Sequence, residues 1–197
     1  MRLQAVELDP VVVDVAYRFF SMPRDPRLEI AVDDGRRYLD DDDRKWDAIM
    51  IDAFYADAIP FHLFTNEFME LVRSRLNPGG VVITNAIGAI TGDESKLFRS
   101  VYRTYRTVFP TVLVHPVKPA GDEGDASIRN LILVATEQAA PEKDFLLERW
   151  RGVREQFPRA PDLTKAIRDR REAPVSVAGV PTLTDDYAPT DALLLIE

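Results

Sequence analysis

The chain has 197 residues, of which 46% are hydrophobic, and a formal net charge of −8 at pH 7. This acidic balance argues against non-specific nucleic-acid binding, because no surplus of basic side chains is available to neutralise phosphates. The absence of cysteine excludes disulfides, thiolate catalysis and zinc–thiolate sites, and the two histidines match no metal-ligand spacing.

Predicted strands and helices alternate along the first 116 residues. Strands are predicted at 3–8, 28–32, 48–51 and 81–84, and helices at 10–21, 35–39, 65–76 and 93–109. Residues 111–114 and 128–135 predict an antiparallel pair, and residues 142–171 a charged helical region broken near 157–161. The alternation indicates an α/β fold whose sheet is mostly parallel. We predict one domain over residues 1–140, with a helical extension and tail over 141–197 packed on it.

Two features of the sequence indicate where in the cell the protein is found. No apolar run reaches the roughly 18 residues that a membrane-spanning helix requires. The first residues lack a signal-peptide layout, because Glu7 interrupts the apolar stretch. We therefore expect a cytoplasmic protein, with no membrane segment in this chain and no nucleic acid among its partners.

Three acids follow three predicted strands: Glu7, Asp34 and Asp52. In open α/β sheets, ligands bind outside the carboxyl ends of the strands, so we expect the three carboxylates at one rim. Glu7 suits the two hydroxyls of a ribose, since a carboxylate has two acceptor oxygens. Asp34 suits an exocyclic amine such as that of adenine, and Gly35 permits a flat ring to approach the backbone. The alternatives are a surface acid at a helix start for Glu7 and an Asx-type turn for Asp34.

Asp52 follows an apolar strand, which would withdraw its carboxylate partly from water and favour a role in proton transfer. The alternative is that it caps the next helical turn. Asp57, Tyr55 and His62 in the following loop are weaker candidates, and His62 has packing as its simpler role. The segment 184–189, Thr-Asp-Asp-Tyr-Ala-Pro, forms either part of an amine site or a solvated turn.

Four segments resemble the spermidine synthase family of polyamine aminopropyltransferases, which has a class I methyltransferase-like Rossmann fold. The likeness covers roughly residues 3 to 136 and is similar to a divergent bacterial branch that has Asp-Ala-Phe where typical synthases have Asp-Ser-Ser. Residues 183–189 also resemble the C-terminal segment of that branch. The matching segments are Val6–Pro10, Val32–Gly35, Trp46–Asp52 and Asn77–Ile83.

The resemblance implies a role for each acid. Glu7 would hold the ribose of decarboxylated S-adenosylmethionine, the co-substrate, or of methylthioadenosine, the product. Asp34, beside Gly35, would accept a hydrogen bond from the adenine amine. Asp52 would be the general base that deprotonates the attacking amine of a polyamine such as putrescine. The reaction needs no metal and no permanently bound cofactor.

The chain departs from the family pattern in two places. Typical members have a second Asp three residues after the catalytic one, where this chain has Tyr55; the nearest acid is Asp57, and we assign both to substrate binding. The family also has a strand with a glycine-rich turn before the Glu7 strand, and this chain begins after it. Without that strand, the Glu7 and Asp52 strands either pair directly or borrow a strand from another copy, which favours a dimer. Two alternatives stay open: a methyltransferase that uses S-adenosylmethionine, and a non-catalytic, oligomeric Rossmann remnant.

Overall fold

A computed structural model describes residues 1–53, 60–118 and 124–189, and these residues form two compact units, Met1–Arg44 and Lys45–Glu197. The domain boundary near residue 140 stays a prediction. In the described part of the chain, no helix combines the length and apolar character needed to cross a membrane. The strands are β1 (Leu3–Glu7), β2 (Leu28–Val32), β3 (Trp46–Ile51), β4 (Leu76–Gly88), β5 (Thr111–Pro116) and β6 (Arg129–Thr136). The helices are α1 (Pro10–Phe19), α2 (Gly35–Asp41), α3 (Asn66–Ser74), α4 (Lys96–Val108), α5 (Lys143–Gln156) and α6 (Thr164–Arg168).

The first unit contains a parallel pair of strands. β1 and β2 run in register from Leu3 opposite Leu28 to Glu7 opposite Val32. Asp9 caps α1, because its carboxylate accepts a hydrogen bond of 2.7 Å from the amide of Val11. The helix start predicted at residue 10 is therefore confirmed, and Asp at the N-cap with Pro at the first helical position accounts for it.

The second unit contains a four-stranded sheet in the order β3-β4-β6-β5. β3 and β4 are parallel, whereas β6 is antiparallel to both β4 and β5. The predicted antiparallel pair is confirmed, and so is the break between α5 and α6. β1 pairs with β2 in the first unit and β3 with β4 in the second, and the direct pairing or strand borrowing that the sequence left open stays a prediction.

β4 is longer than the strand predicted at 81–84. The segment Asn77-Pro-Gly-Gly80, which directly follows the helix predicted at 65–76, lies inside β4, and α3 ends before it at Ser74. Trp46 pairs with Leu76 and Ala48 with Val81, so β4 bulges between these two pairs. A Cβ atom at Gly80 would lie 2.9 Å from the carbonyl oxygen of Asn77, which is why this position needs glycine.

The core of the second unit lies between one face of its sheet and helices α3 and α4, which also contact each other. On the opposite face Met50 is 70% exposed. The buried side chains are therefore the alternate residues of the strands and the apolar sides of the two helices. They include Phe68, Met69 and Val72 of α3, Phe98, Val101 and Tyr105 of α4, and Val82, Ala86, Leu131, Leu133 and Ala135 of the sheet.

One polar contact crosses this core. The hydroxyls of Thr84 on β4 and Tyr105 on α4 are 2.7 Å apart and form a hydrogen bond. Burial raises the pKa of Tyr105, although the hydrogen bond to Thr84 acts in the opposite direction, so the phenol stays neutral. The bond therefore ties the helix to the sheet through two neutral groups that have lost their contact with water.

We expect Tyr105→Phe to lower the free energy of unfolding by about 1 to 2 kcal/mol, because it leaves the buried hydroxyl of Thr84 without its partner. Urea denaturation measures this difference. Tyr102→Phe is the matched control, since the Tyr102 hydroxyl forms no hydrogen bond with the described residues. Equal stability of the two variants would show that the Thr84–Tyr105 bond contributes nothing.

Candidate active site

The structure brings Glu7 and Asp34 to the same edge of the first unit's sheet. Glu7 ends β1 opposite Val32, and the amide of Asp33 donates to the main-chain oxygen of Glu7 at 3.1 Å. Because the two strands are parallel, their carboxyl ends lie at one edge. Asp52 belongs to the second unit, and the meeting of all three carboxylates stays a prediction.

Glu7 is half-buried and supports the start of α1. Its Oε1 atom accepts a hydrogen bond of 3.0 Å from the amide of Asp9. Its other oxygen, Oε2, accepts no hydrogen bond from the described residues. One carboxylate oxygen is therefore left to receive a donor such as a hydroxyl.

Asp34 forms the Asx-type turn that the sequence offered as the alternative to adenine binding. Its Oδ1 atom accepts from the amides of Arg36 and Arg37, both at 3.0 Å, and so begins α2. Gly35 is different, because a Cβ atom there would meet no heavy atom within 4 Å. Neither packing nor an unusual backbone angle of the chain itself requires glycine at this position, and the open space permits close approach of a ligand.

Asp52 lies just beyond the carboxyl end of β3. Ile51 before it is 6% exposed, but Asp52 itself is exposed, because it follows the last strand residue. The expected partial burial of its carboxylate is therefore wrong. Asp52 caps no helix among the described residues; instead its Oδ1 atom accepts a hydrogen bond of 3.1 Å from the Nδ2 of Asn85 on β4.

Asn85 is a further candidate site residue, which the sequence analysis missed. It comes directly after the strand predicted at 81–84, and that position was a signal of the same kind that identified Glu7, Asp34 and Asp52. Asn85 carries both a donor and an acceptor and can hold a carboxylate in one orientation.

The remaining candidates are less informative. Tyr55 and Asp57 lie outside the described residues. His62 lies in a short 3₁₀ helix, Phe61–Leu63, with its ring edge-on to that of Phe61 at 6.0 Å between centroids. Within residues 1–53, 60–118 and 124–189, no cluster of three His, Asp or Glu side chains is arranged to hold a metal ion.

The segment 184–189 closes a turn in which Thr184 and Tyr187 pair with each other. The amide of Asp185 donates to Oε2 of Glu67, in the first turn of α3, at 3.0 Å. The main-chain oxygen of Leu183 accepts from the amide of Asn66 at 2.9 Å. The turn is thus attached to the start of α3, the next α-helix after β3 along the chain.

Helix α4 holds the chain that leads into this turn. Arg99 donates to the carbonyl oxygen of Ser176 at 2.7 Å, and Arg103 donates to that of Val180 at 2.8 Å. We call residues 175–183 the C-terminal strap. Its last amide, that of the buried Leu183, donates to the hydroxyl of Thr104 at 2.9 Å.

Comparison with known proteins places these features in a family context. The family model described as Spermine/spermidine synthase domain matches residues 2–118. A protein of Bifidobacterium longum described as a probable polyamine aminopropyl transferase is 34% identical over 109 residues, which are 55% of this chain and 24% of that protein. The chain thus spans about a quarter of the length of this curated relative.

Two solved structures are similar in fold. A probable spermidine synthase from Corynebacterium glutamicum superposes with a TM-score of 0.69 and 21% identity, covering 95% of this chain and 64% of the other. Human methyltransferase-like protein 13, solved in complex with SAH, gives a TM-score of 0.63 and 24% identity, covering 85% and 77%. These likenesses confirm the class I methyltransferase-like α/β fold.

We expect Arg103→Leu to loosen the C-terminal strap, because two carbonyl oxygens, those of Val177 and Val180, lose their donor. Amide hydrogen exchange of peptides from the strap should then be about tenfold faster or more, while peptides of the sheet keep their rates. Arg106→Leu is the control, since Arg106 donates instead to Pro110 at the end of its own helix. Unchanged exchange in Arg103→Leu would contradict the role of α4 as the anchor of the strap.

Proposed function

Because this chain belongs to the spermine/spermidine synthase family, we propose that it takes part in aminopropyl transfer from decarboxylated S-adenosylmethionine to a polyamine such as putrescine. The observation that carries the proposal is the placement of Asp52. Its carboxylate stands exposed at the carboxyl end of β3, the end at which α/β sheets bind ligands, and Asn85 holds it there.

The chemistry is an in-line displacement at carbon. The lone pair of a neutral amine forms a new N–C bond to the first carbon of the aminopropyl group. The bond from that carbon to the positively charged sulfur breaks, and its electron pair returns to sulfur, giving the neutral thioether of methylthioadenosine. The proton released from the amine nitrogen passes to the Asp52 carboxylate. Positioning and one base suffice for this step.

We assign nucleoside binding to residues of the first unit. Oε2 of Glu7 would accept from a ribose hydroxyl, and this oxygen accepts nothing from the described residues. Gly35 would lie against the adenine ring, since its own surroundings leave space for one. Asp34 would accept from the adenine amine while it caps α2.

Several finer features belong to the same proposal. The acceptor amine would contact Tyr55 and Asp57, and the protein would act as a cytoplasmic dimer. Open strand edges support association, because β3 is an edge strand of its sheet among the described residues. Asp52 also favours aminopropyl transfer over methyl transfer, since a methyltransferase does not generally need a base at this strand end.

We expect Asp52→Asn to lower aminopropyl transfer by about 100-fold or more, the usual effect of removing a general base. The assay uses decarboxylated S-adenosylmethionine and a panel of amines, with this chain and with a version extended upstream in the genome. Methylthioadenosine binding should be unchanged. The control is Asp47→Asn, because Asp47 lies on the same strand and also accepts from an asparagine, Asn77, at 2.8 Å. Near-normal turnover in Asp52→Asn would remove the base assignment.

We expect Glu7→Ala to weaken methylthioadenosine binding by about tenfold or more, because a hydrogen bond to a charged group is lost. Isothermal titration calorimetry measures the dissociation constant. The matched control is Glu29→Ala, since Glu29 is an exposed acid on the neighbouring strand β2, 3.7 Å from Arg44. If both variants bind as tightly as the unchanged chain, Glu7 is no part of the nucleoside site.

A further inference from the structure

The pairing of β3 with β4 brings Asn85 next to Asp52. The last register pair of the two strands joins Ile51 to Thr84, and Asp52 and Asn85 are the next residues along each chain. Their side chains meet through the 3.1 Å hydrogen bond from Nδ2 to Oδ1. This contact depends on main-chain pairing, which holds Asp52 just beyond the carboxyl end of β3 and Asn85 beside it within β4.

The hydrogen bond also fixes the orientation of the Asn85 amide. An ionised carboxylate only accepts hydrogen bonds, so the amide must turn its NH₂ group toward Asp52 and its oxygen away. That oxygen, Oδ1, is buried and has no hydrogen-bond donor among the described residues. A buried acceptor without a donor is costly, and native proteins usually supply one.

The chemistry of the missing donor follows from the groups around it. Once their mutual hydrogen bond is formed, the oxygens of Asp52 and Asn85 remain as acceptors, and the second N–H of the Asn85 amide is the one donor of the pair that remains. The complementary ligand is a group rich in N–H bonds and without acceptors near them, which describes a primary ammonium or amine. A sugar or a phosphate fits less well, because its own oxygens would face these oxygens.

We propose that Asn85 positions the Asp52 carboxylate and that its Oδ1 atom accepts an N–H from the acceptor amine, an inference that rests on the proposed function. One N–H of the amine points to Asn85, and the proton that is lost points to Asp52. The amine nitrogen is then held by two side chains from adjacent strands, which directs its lone pair toward the aminopropyl carbon.

The same two strands provide a matched comparison at their opposite end. Asn77 of β4 donates to Asp47 of β3 at 2.8 Å, so residue types, strands and donor atom are the same. Asn77 differs from Asn85 in one respect, since its carbonyl oxygen is not among the buried atoms that lack a partner. A role that arises from strand pairing alone would apply to both asparagines, whereas a role in amine binding applies only to Asn85.

The test compares Asn85→Leu, Asn85→Gln and Asn77→Leu with the unchanged chain. We expect Asn85→Leu to lower kcat by about 10- to 100-fold, the effect of losing one hydrogen bond to a charged group, and to raise KM for putrescine. KM for decarboxylated S-adenosylmethionine and the affinity for methylthioadenosine stay unchanged. Asn85→Gln recovers part of the lost turnover, because it keeps an amide, and Asn77→Leu behaves as the unchanged chain. Thermal unfolding of each variant separates these effects from loss of the fold.

The outcomes distinguish the two proposals. If the unchanged chain transfers the aminopropyl group and Asn85→Leu keeps its kcat and putrescine KM within about twofold, the role of Asn85 is overturned and the proposed function stands. If the unchanged chain neither turns over nor binds putrescine, the proposed function is overturned, and amine binding by Asn85 with it. The claim that Asn85 positions Asp52 is tested separately by NMR. Because the two side chains are hydrogen-bonded, Asp52→Asn should shift the side-chain amide signals of Asn85. Unshifted signals overturn the Asn85–Asp52 pairing whatever the activity.

Discussion

The parallel register between β3 and β4 is the constraint on which the second unit's candidate site depends. Side chains alternate between the two faces of a strand, so a slip of one residue would turn Asn85 to the opposite face from Asp52. The bulge at residues 77–80 precedes this contact in β4. Between the pairs Trp46–Leu76 and Ala48–Val81 the chain advances two residues in β3 but five in β4, so the bulge accommodates three extra residues. The bulge requires glycine at position 80, because a side chain there would clash with the carbonyl oxygen of Asn77. The position of a polar pair at one end of the strands therefore depends on glycine at the other.

The elements that the sequence predicted well have local causes. Asp9 and Pro10 define the start of α1, and three- and four-residue apolar steps define α3, whose buried side chains lie on one side. The extent of β4 was not predictable in this way. Its first residues are drawn into the strand by pairing with Trp46, which lies 30 residues earlier in the chain, whereas Pro78 and Gly79 taken alone indicate a turn.

The candidate site was predictable in part. The rule that ligands bind at the carboxyl ends of strands predicts Glu7, Asp34 and Asp52 as candidates from the sequence alone. It does not show that the Oδ1 atom of Asp34 accepts from the main-chain amides that begin α2, although the Asp-Gly sequence offered an Asx-type turn. The contact between Asp52 and Asn85 arises from strands far apart in sequence, and no local pattern encodes it.

The way in which α4 holds the C-terminal strap has an evolutionary consequence. Arg99 and Arg103 bind carbonyl oxygens of the strap's main chain at Ser176 and Val180, and every amino acid supplies such an oxygen. Substitutions along the strap therefore leave these bonds intact, apart from the few positions with buried side chains, such as Leu183. Relatives can diverge freely in this stretch and still deliver the following turn to the first turn of α3. A low level of sequence identity there is compatible with a strictly retained path of the chain.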